Sequence, residues 1–320
     1  MKKNKIKNTG LEITELSFGT SSLGSMPDTY GYEVSEDRAQ KTLNRFFQGP
    51  VNMLDTSRNY AMGESEKRIG KAIKENGGWP NGFLLSTKLD RNMDTLVLDK
   101  NRVRESLEES LKTLNVDSVD ILFLHDPEYA KDITDITKKD GAMDELFKIK
   151  NEGLAKAAGV AMGKVDIMFP LLKDWDFDVI INHNRYTLIN REANEMYDYA
   201  SSKNIAIFNA APYAGGVLAK GPDNFKKITY QDATEEKLAP AREFEKVCKK
   251  HNVELGAAAL QFSLRDNRIT STICGVTSVE SIEKNLAWAN AEISGEFWDE
   301  VLKLPFSSND PESDRVFTPG

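Results

Sequence analysis

Short apolar, β-prone runs alternate with stretches of helical spacing along most of this 320-residue chain, an alternation that predicts a parallel sheet with helices packed on it. Eight such runs fall within this length, so the predicted fold class is α/β, a closed (β/α)8 TIM barrel rather than an open sheet. A third observation concerns where three successive runs stop: each ends in a titratable residue, Asp55, Lys88 and His125. In a barrel those ends share one rim, and that rim is where the architecture carries its chemistry.

Taken in order, the chain opens with a small hairpin around Asn8-Thr9-Gly10 and a first strand ending near Phe18. A loop rich in Ser, Gly and Tyr precedes helical spacing over residues 36–47. The second strand, Val51 to Leu54, turns at Asp55 into a polar run, and a helix follows with Ile69, Ala72 and Ile73 on one face. Further strands are expected at 82–88, 119–125, 155–161, 177–183, 205–209 and 269–275, and helices at 102–114, 143–151, 192–202, 240–251 and 278–289. From Asn209 to Gly275 the strand ends lie 66 residues apart, against 22 to 37 between the others. The extra excursion, about 213–238, carries the turn residues Gly215, Gly216, Gly221, Pro222 and Asp223 and is expected to be a lid or binding loop between strands seven and eight. No linker or low-complexity stretch interrupts residues 1–320, which read as one domain.

Composition narrows the function. A formal charge of −8 and a pI near 5.2 argue against nucleic acid or anionic membrane as partner, since both repel an acidic protein. The basic start MKKNKIKN is followed by two glutamates rather than an apolar segment. No run reaches membrane-spanning length. Two cysteines, Cys248 and Cys274, make no disulfide framework, and a reduced, cytoplasmic protein is expected. Gly159 to Lys164 imitates a phosphate loop but has three residues between its glycines and Val165 where Ser or Thr is required. The three histidines, His125, His183 and His251, lack companions at ligand spacing, so no metal is expected.

Asp55, Lys88 and His125, joined by Tyr60, form a set with an internal logic. An ammonium near a phenol favours the phenolate and lowers its pKa, a carboxylate beside the lysine keeps it charged, and the imidazole can orient a substrate oxygen. Such a set moves a proton on and off a hydroxyl or carbonyl oxygen. It contains no acceptor for a hydride.

These residues, with Phe18-Gly19-Thr20, Leu54-Asp55-Thr56, Gly63-Glu64-Ser65-Glu66, Thr87-Lys88, Leu124-His125 and Gly159-Val160, resemble the aldo-keto reductases. The resemblance implies that Asp55, Tyr60, Lys88 and His125 are the catalytic tetrad, with Tyr60 as general acid or base. It also implies a nicotinamide cofactor bound without a Rossmann domain, in keeping with the absence of any Gly-x-Gly. The cofactor residues it implies are Gly19, Thr20, His183, Pro212, Gly215, Gly216, Leu218, Gly275, Ser281 and Asn285. The family's nicotinamide-holding Ser-Asn is replaced by Ala161-Met162, its Gln by His183 and its stacking aromatic by Ala210. Gly275 and Ser281 stand where NADP-preferring members carry cations, so NAD is the expected cofactor, with NADP possible through Lys284, Lys220, Lys226 or Lys227. His125-Asp126-Pro127-Glu128 and Arg185-Tyr186-Thr187-Leu188 resemble the branch that oxidises sugars at C1. A monosaccharide substrate is therefore expected, read by Ser22, Arg58, Asn59, Asp126 and Arg185. Tyr30, Tyr32 and Tyr213 are expected to provide an apolar face, and the tail from Pro305 to Gly320 to close over it. The alternatives are an NADPH-dependent aldehyde or ketone reductase, a pyridoxal dehydrogenase, and a non-catalytic binding subunit of the same fold.

Overall fold

A computed structural model describes residues 1–313. Eight parallel strands close a barrel: Leu16–Gly19, Met53–Asp55, Leu84–Leu89, Val119–His125, Ala155–Met162, Val179–His183, Ala206–Ala210 and Ile269–Gly275, the last pairing with the first. The expected hairpin is Lys3–Ile6 with Leu11–Thr14. Its Ile6, Leu11 and Ile13 join the cluster that fills the barrel interior, with Met53, Ile121, Phe123, Val179 and Phe208, and so plug the end opposite the functional rim.

Strand alternation decides what faces that interior. Met53 points in, and so does Asp55 two residues on. The same parity carries Leu84 to Lys88, Ile121 and Phe123 to His125, and Val179 and Ile181 to His183. The intervening Leu54, Leu85, Leu122, Leu124 and Ile180 belong to the second cluster, between strands and helices. Asp55, Lys88, His125 and His183 thus reach the rim together.

The helices behind the first strands follow their apolar spacing. Glu36–Phe46 buries Ala39, Leu43 and Phe46 and is capped by Ser35, whose side chain accepts from the Arg38 amide. Lys100–Leu114 starts on Asp99, which accepts from the amides of Asn101 and Arg102. Two helices of ten residues each were not expected. Val165–Asp174 carries Pro170 inside it, a residue that argues against a helix. Leu255–Leu264 buries seven of its ten residues and is apolar on all sides, which leaves no periodicity to read. The helix expected from Pro240 begins earlier, at Glu235, where Thr234 caps the Lys237 amide. The excursion before it holds a short helix, Val217–Lys220, and a small hairpin, Lys227–Ile228 with Gln231–Asp232. Among the described residues no helix is long and apolar enough to cross a membrane.

Candidate active site

Lys88 anchors the rim. Its Nζ donates to Asp55 Oδ2 at 2.7 Å and the Thr56 carbonyl at 2.7 Å, and lies 3.1 Å from the Tyr60 hydroxyl. An ammonium has three protons, and each has an oxygen here. Asp55 accepts a second bond, from Ser86 Oγ at 2.7 Å. Both charges are almost wholly buried, where a pair survives because its remaining hydrogen bonds are made. The Thr20 hydroxyl donates to the Asp55 carbonyl at 2.9 Å, which ties Thr20 to the frame of the site.

Tyr60 arrives on a strained turn. Ala61 and Met62 have φ of 51° and 54°, a left-handed conformation costing roughly 1–2 kcal/mol per residue. Room for it exists because position 24 is glycine: a Cβ there would stand 2.5 Å from that of Ala61. The Tyr60 ring meets His125 edge-on, centroids 5.7 Å apart at 80°. Contrary to the expected lowering by Lys88, burial and then the charges of Asp55, Tyr30, Asp126 and Asp90 hold the phenol well above its ordinary range. Burial thus favours the neutral phenol at Tyr60.

His125 is held by a residue the sequence did not single out. Its Nδ1 lies 2.6 Å from Asp90 Oδ1 and 3.0 Å from Ser57 Oγ. Asp90 also accepts from Ser57 Oγ at 2.5 Å and from the Asn59 amide at 3.0 Å. Burial pulls the imidazole down, but the charges of Asp126 and Asp90 outweigh it and Lys88, and the ring sits above its ordinary value. The only signal for Asp90 was its place two residues past Lys88, just beyond the strand.

Across the mouth, the expected substrate residue Arg185 is a correction. It is fully buried, with Nη1 on Glu312, Nη2 2.6 Å from Asp310 and Nε 3.8 Å from Glu192. Its charge is spent on pinning the tail, which also pairs through Ser307 with Ile189 and Arg191. The tail thus lies on this side of the molecule up to Ser313; residues 314–320 fall outside the described chain. Leu218 is a second correction: it sits in the core with its amide on the Tyr213 carbonyl. The sugar-reading candidates nearer the tetrad are partly engaged. Arg58 pairs with Glu109 at 2.7 Å, the Asn59 side chain donates to Met93 Sδ at 2.8 Å, and Ser22 is buried. Asp126 lies 3.8 Å from His125 Nε2. Tyr30 packs against Tyr32 and edge-on to Tyr230, centroids 6.0 and 5.8 Å apart. Tyr213 instead donates to Asn285 Oδ1 at 2.5 Å and packs on Trp288.

The expected cofactor positions fare unevenly. Gly19, His183 and Gly275 end their strands on the rim, and Pro212 is buried in the turn after strand seven. Gly215 and Gly216 have φ of 75° and 124°, and a Cβ on Gly215 would stand 2.9 Å from the Thr229 amide. Ser281 closes a capping box with Ser278, and Asn285 donates to the Ser281 carbonyl. Of the four lysines considered, Lys220 lies over the Tyr32 and Phe225 rings, Lys284 over Trp288, and Lys226 3.5 Å from Glu235. Arg38, not foreseen, brings a cation there: its Nη2 donates to Thr277 Oγ1 at 3.3 Å.

Asp126 Oδ1, Glu128 Oε2 and Asn184 Oδ1 are buried polar atoms without a hydrogen-bond partner among the described residues, beyond the ends of strands four and six. Burial, and next the Asp126 charge, push the Glu128 carboxyl up to about 8.

Comparison with known proteins agrees with this geometry. The family model described as the Aldo/keto reductase family matches residues 15–304. L-galactose dehydrogenase from Arabidopsis thaliana is 31% identical over 284 residues, covering 88% of this chain and 85% of that protein. D-threo-aldose 1-dehydrogenase from a Pseudomonas species is 27% identical, covering 92% and 94%. Among solved structures, an aldo-keto reductase from Bacillus halodurans in its holo form superposes with a TM-score of 0.78 at 22% identity, over 99% of this chain and 100% of that one.

Proposed function

The chain belongs to the aldo/keto reductase family of oxidoreductases, and from that premise we propose that it is a nicotinamide-dependent dehydrogenase acting at C1 of an aldose to give a lactone, with NAD as its preferred cofactor. One observation carries the reading: Lys88 bridges Asp55 Oδ2 and the Tyr60 hydroxyl at 2.7 and 3.1 Å, beside the edge of His125. When bound, the cofactor supplies a hydride acceptor and, in its oxidised form, a positive charge that favours the phenolate. His183 and the turn at Gly215–Gly216 are the residues that would hold it.

The rest falls to side chains of this protein. Tyr60 takes the proton of the C1 hydroxyl as its hydride departs, so that the anomeric carbon becomes a lactone carbonyl. Lys88 stabilises the phenolate, and Asp55 keeps Lys88 charged and in place. His125 donates to the same oxygen and orients it. The names of the two curated relatives, a galactose and a threo-aldose dehydrogenase, support the substrate class.

A second reading, a reductase of small aldehydes or ketones, is favoured by the protonation of the site. A neutral Tyr60 and a raised His125 form the state that gives a proton to a carbonyl oxygen. Incubation with NAD and galactose, fucose, arabinose or pyridoxal, followed at the absorbance of reduced nicotinamide and by mass spectrometry, separates the readings. Lactone from one of the sugars supports the first. Aldehyde reduction with no sugar oxidised between neutral and mildly alkaline pH supports the second.

A further inference from the structure

Asp90 is 1% exposed, yet it lies beyond the end of its strand, and among the described residues its side-chain hydrogen-bond partners are Ser57, Asn59 and His125. Its Oδ1 is 2.6 Å from His125 Nδ1, and its Oδ2 takes the Ser57 hydroxyl and the Asn59 amide. Its backbone amide is fixed in turn by Ser106 Oγ at 2.9 Å. An ionised carboxylate only accepts, and the single Ser57 proton is already given to Oδ2, so Nδ1 of His125 has to carry a hydrogen. We propose that Asp90 is a positioning residue: by accepting Nδ1–H it fixes the ring of His125 and presents Nε2 to the substrate oxygen that Tyr60 protonates or deprotonates. This rests on the reading of His125 given above, although the ring geometry itself does not.

The arrangement also controls charge. The groups facing His125 are Asp90 from the loop after strand three, Asp126 from its own, Lys88 from strand three, Tyr60 edge-on and His183 across the mouth. Two carboxylates against one ammonium leave the imidazolium favoured, and Asp90 is the carboxylate on Nδ1, Asp126 the one nearer Nε2. Burial works against the Asp90 charge, but His125 and the bonds from Ser57 and Asn59 outweigh it, and Asp90 stays ionised below the usual carboxylate range. Asp90 therefore sets which nitrogen is protonated and how firmly, without touching the substrate.

With three histidines in the chain, 15N-edited NMR can follow His125 in the ligand-free protein. The expected result is a protonated Nδ1 from pH 6 to 8; a neutral ring with its proton on Nε2 and a bare Nδ1 overturns the proposal without any variant. In Asp90→Asn, His125 is expected to titrate at lower pH. The limb of the kcat/KM profile that reports its proton should shift the same way, and kcat should fall about tenfold to a hundredfold, less than where a tautomer-setting carboxylate serves a proton-transferring histidine. Ser57→Ala removes a bond to Asp90 but leaves the carboxylate on Nδ1, and its His125 titration should stay in place. Equal shifts in both variants, or none in Asp90→Asn, would reduce Asp90 to a brace for the loop. A shifted titration in a protein whose activity is indifferent to His125 would leave the positioning intact and remove the function proposed for the ring.

Discussion

Around Lys88 the partners lie a short way off along the chain, Asp55 at 33 residues and Tyr60 at 28. On the other side of the mouth Arg185 reaches 125 residues to Asp310 and 127 to Glu312. The first region is set by strand parity: once the barrel closes, Asp55, Lys88 and His125 have nowhere else to point. The second takes its form only when the tail docks. The groups proposed to handle the proton are thus built into the barrel itself, whereas the wall near His183 depends on a segment that could leave without opening the barrel.

The sharpest way to break the comparison is at the first region. Tyr60→Phe removes the group proposed to move the proton, and turnover is expected to fall by about 10² to 10⁴ while cofactor binding, followed by intrinsic fluorescence, is expected to match that of the parent. Turnover within a few-fold of the parent would detach chemistry from this side altogether. Lys88→Met tests how tightly the region is prestressed. It leaves Asp55 charged and buried with only Ser86 to satisfy it, and breaking such a pair costs about 3–5 kcal/mol of stability, measurable by denaturant unfolding. A loss below about 1 kcal/mol would mean that water or Tyr60 replaces the ammonium.

Arg185→Met probes the second region and should cost less. Asp310, Glu312 and Glu192 lose their shared cation, but the tail can swing into water, so roughly 1–3 kcal/mol is expected. Hydrogen exchange over 305–312 should rise while strands two to four stay protected. The same latch should respond to pH. Burial, followed by the charge of Asp310, raises Glu192 to about 7. A carboxylate raised in the fold contributes stability that is complete below its unfolded value, near 4.3, and lost as pH rises through the folded one. Protection factors of the tail amides, corrected for base-catalysed intrinsic exchange, should therefore fall between pH 6 and 9 in the parent, and unchanged protection factors would unlink Glu192 from the tail.

The same contrast explains what could be read from sequence. Asp55, Lys88 and His125 end apolar runs in successive units, a pattern visible in one dimension. Asp90 carries no such mark, because its importance depends on the strand stopping at Leu89 and on a ring 35 residues away. Arg185 was misread for the same reason: a polar residue just past a strand looks like a rim contact until the tail that neutralises it is in view. Tyr60 shows a subtler limit. Lys88 was foreseen as its neighbour, but the depth of burial and the carboxylates around it, which reverse the direction of its shift, follow from packing.

The smallest expected effect lies at the edge where the two regions meet through strand eight. Gly275 offers no charge and Ser281 spends its hydroxyl on the helix cap, which leaves Arg38 as the cation near Thr277, with Glu280 close enough to feel it. An exposed arginine gains little from an exposed partner, about 0.2–1 kcal/mol, and Glu280 repels a phosphate at the same place. NAD is accordingly expected to be used better than NADP. Arg38→Ala should lower kcat/KM with NADP by no more than about fivefold, the factor for 1 kcal/mol, and leave that with NAD within twofold. Glu280→Gln should raise NADP use by a similar factor, since it removes the repulsion and keeps the size. Equal losses with both cofactors in Arg38→Ala would make the arginine a support for the Thr277 loop, and a strong NADP preference in the parent would mean that one of the lysines, Lys220, Lys226, Lys227 or Lys284, leaves its present position to reach the ribose.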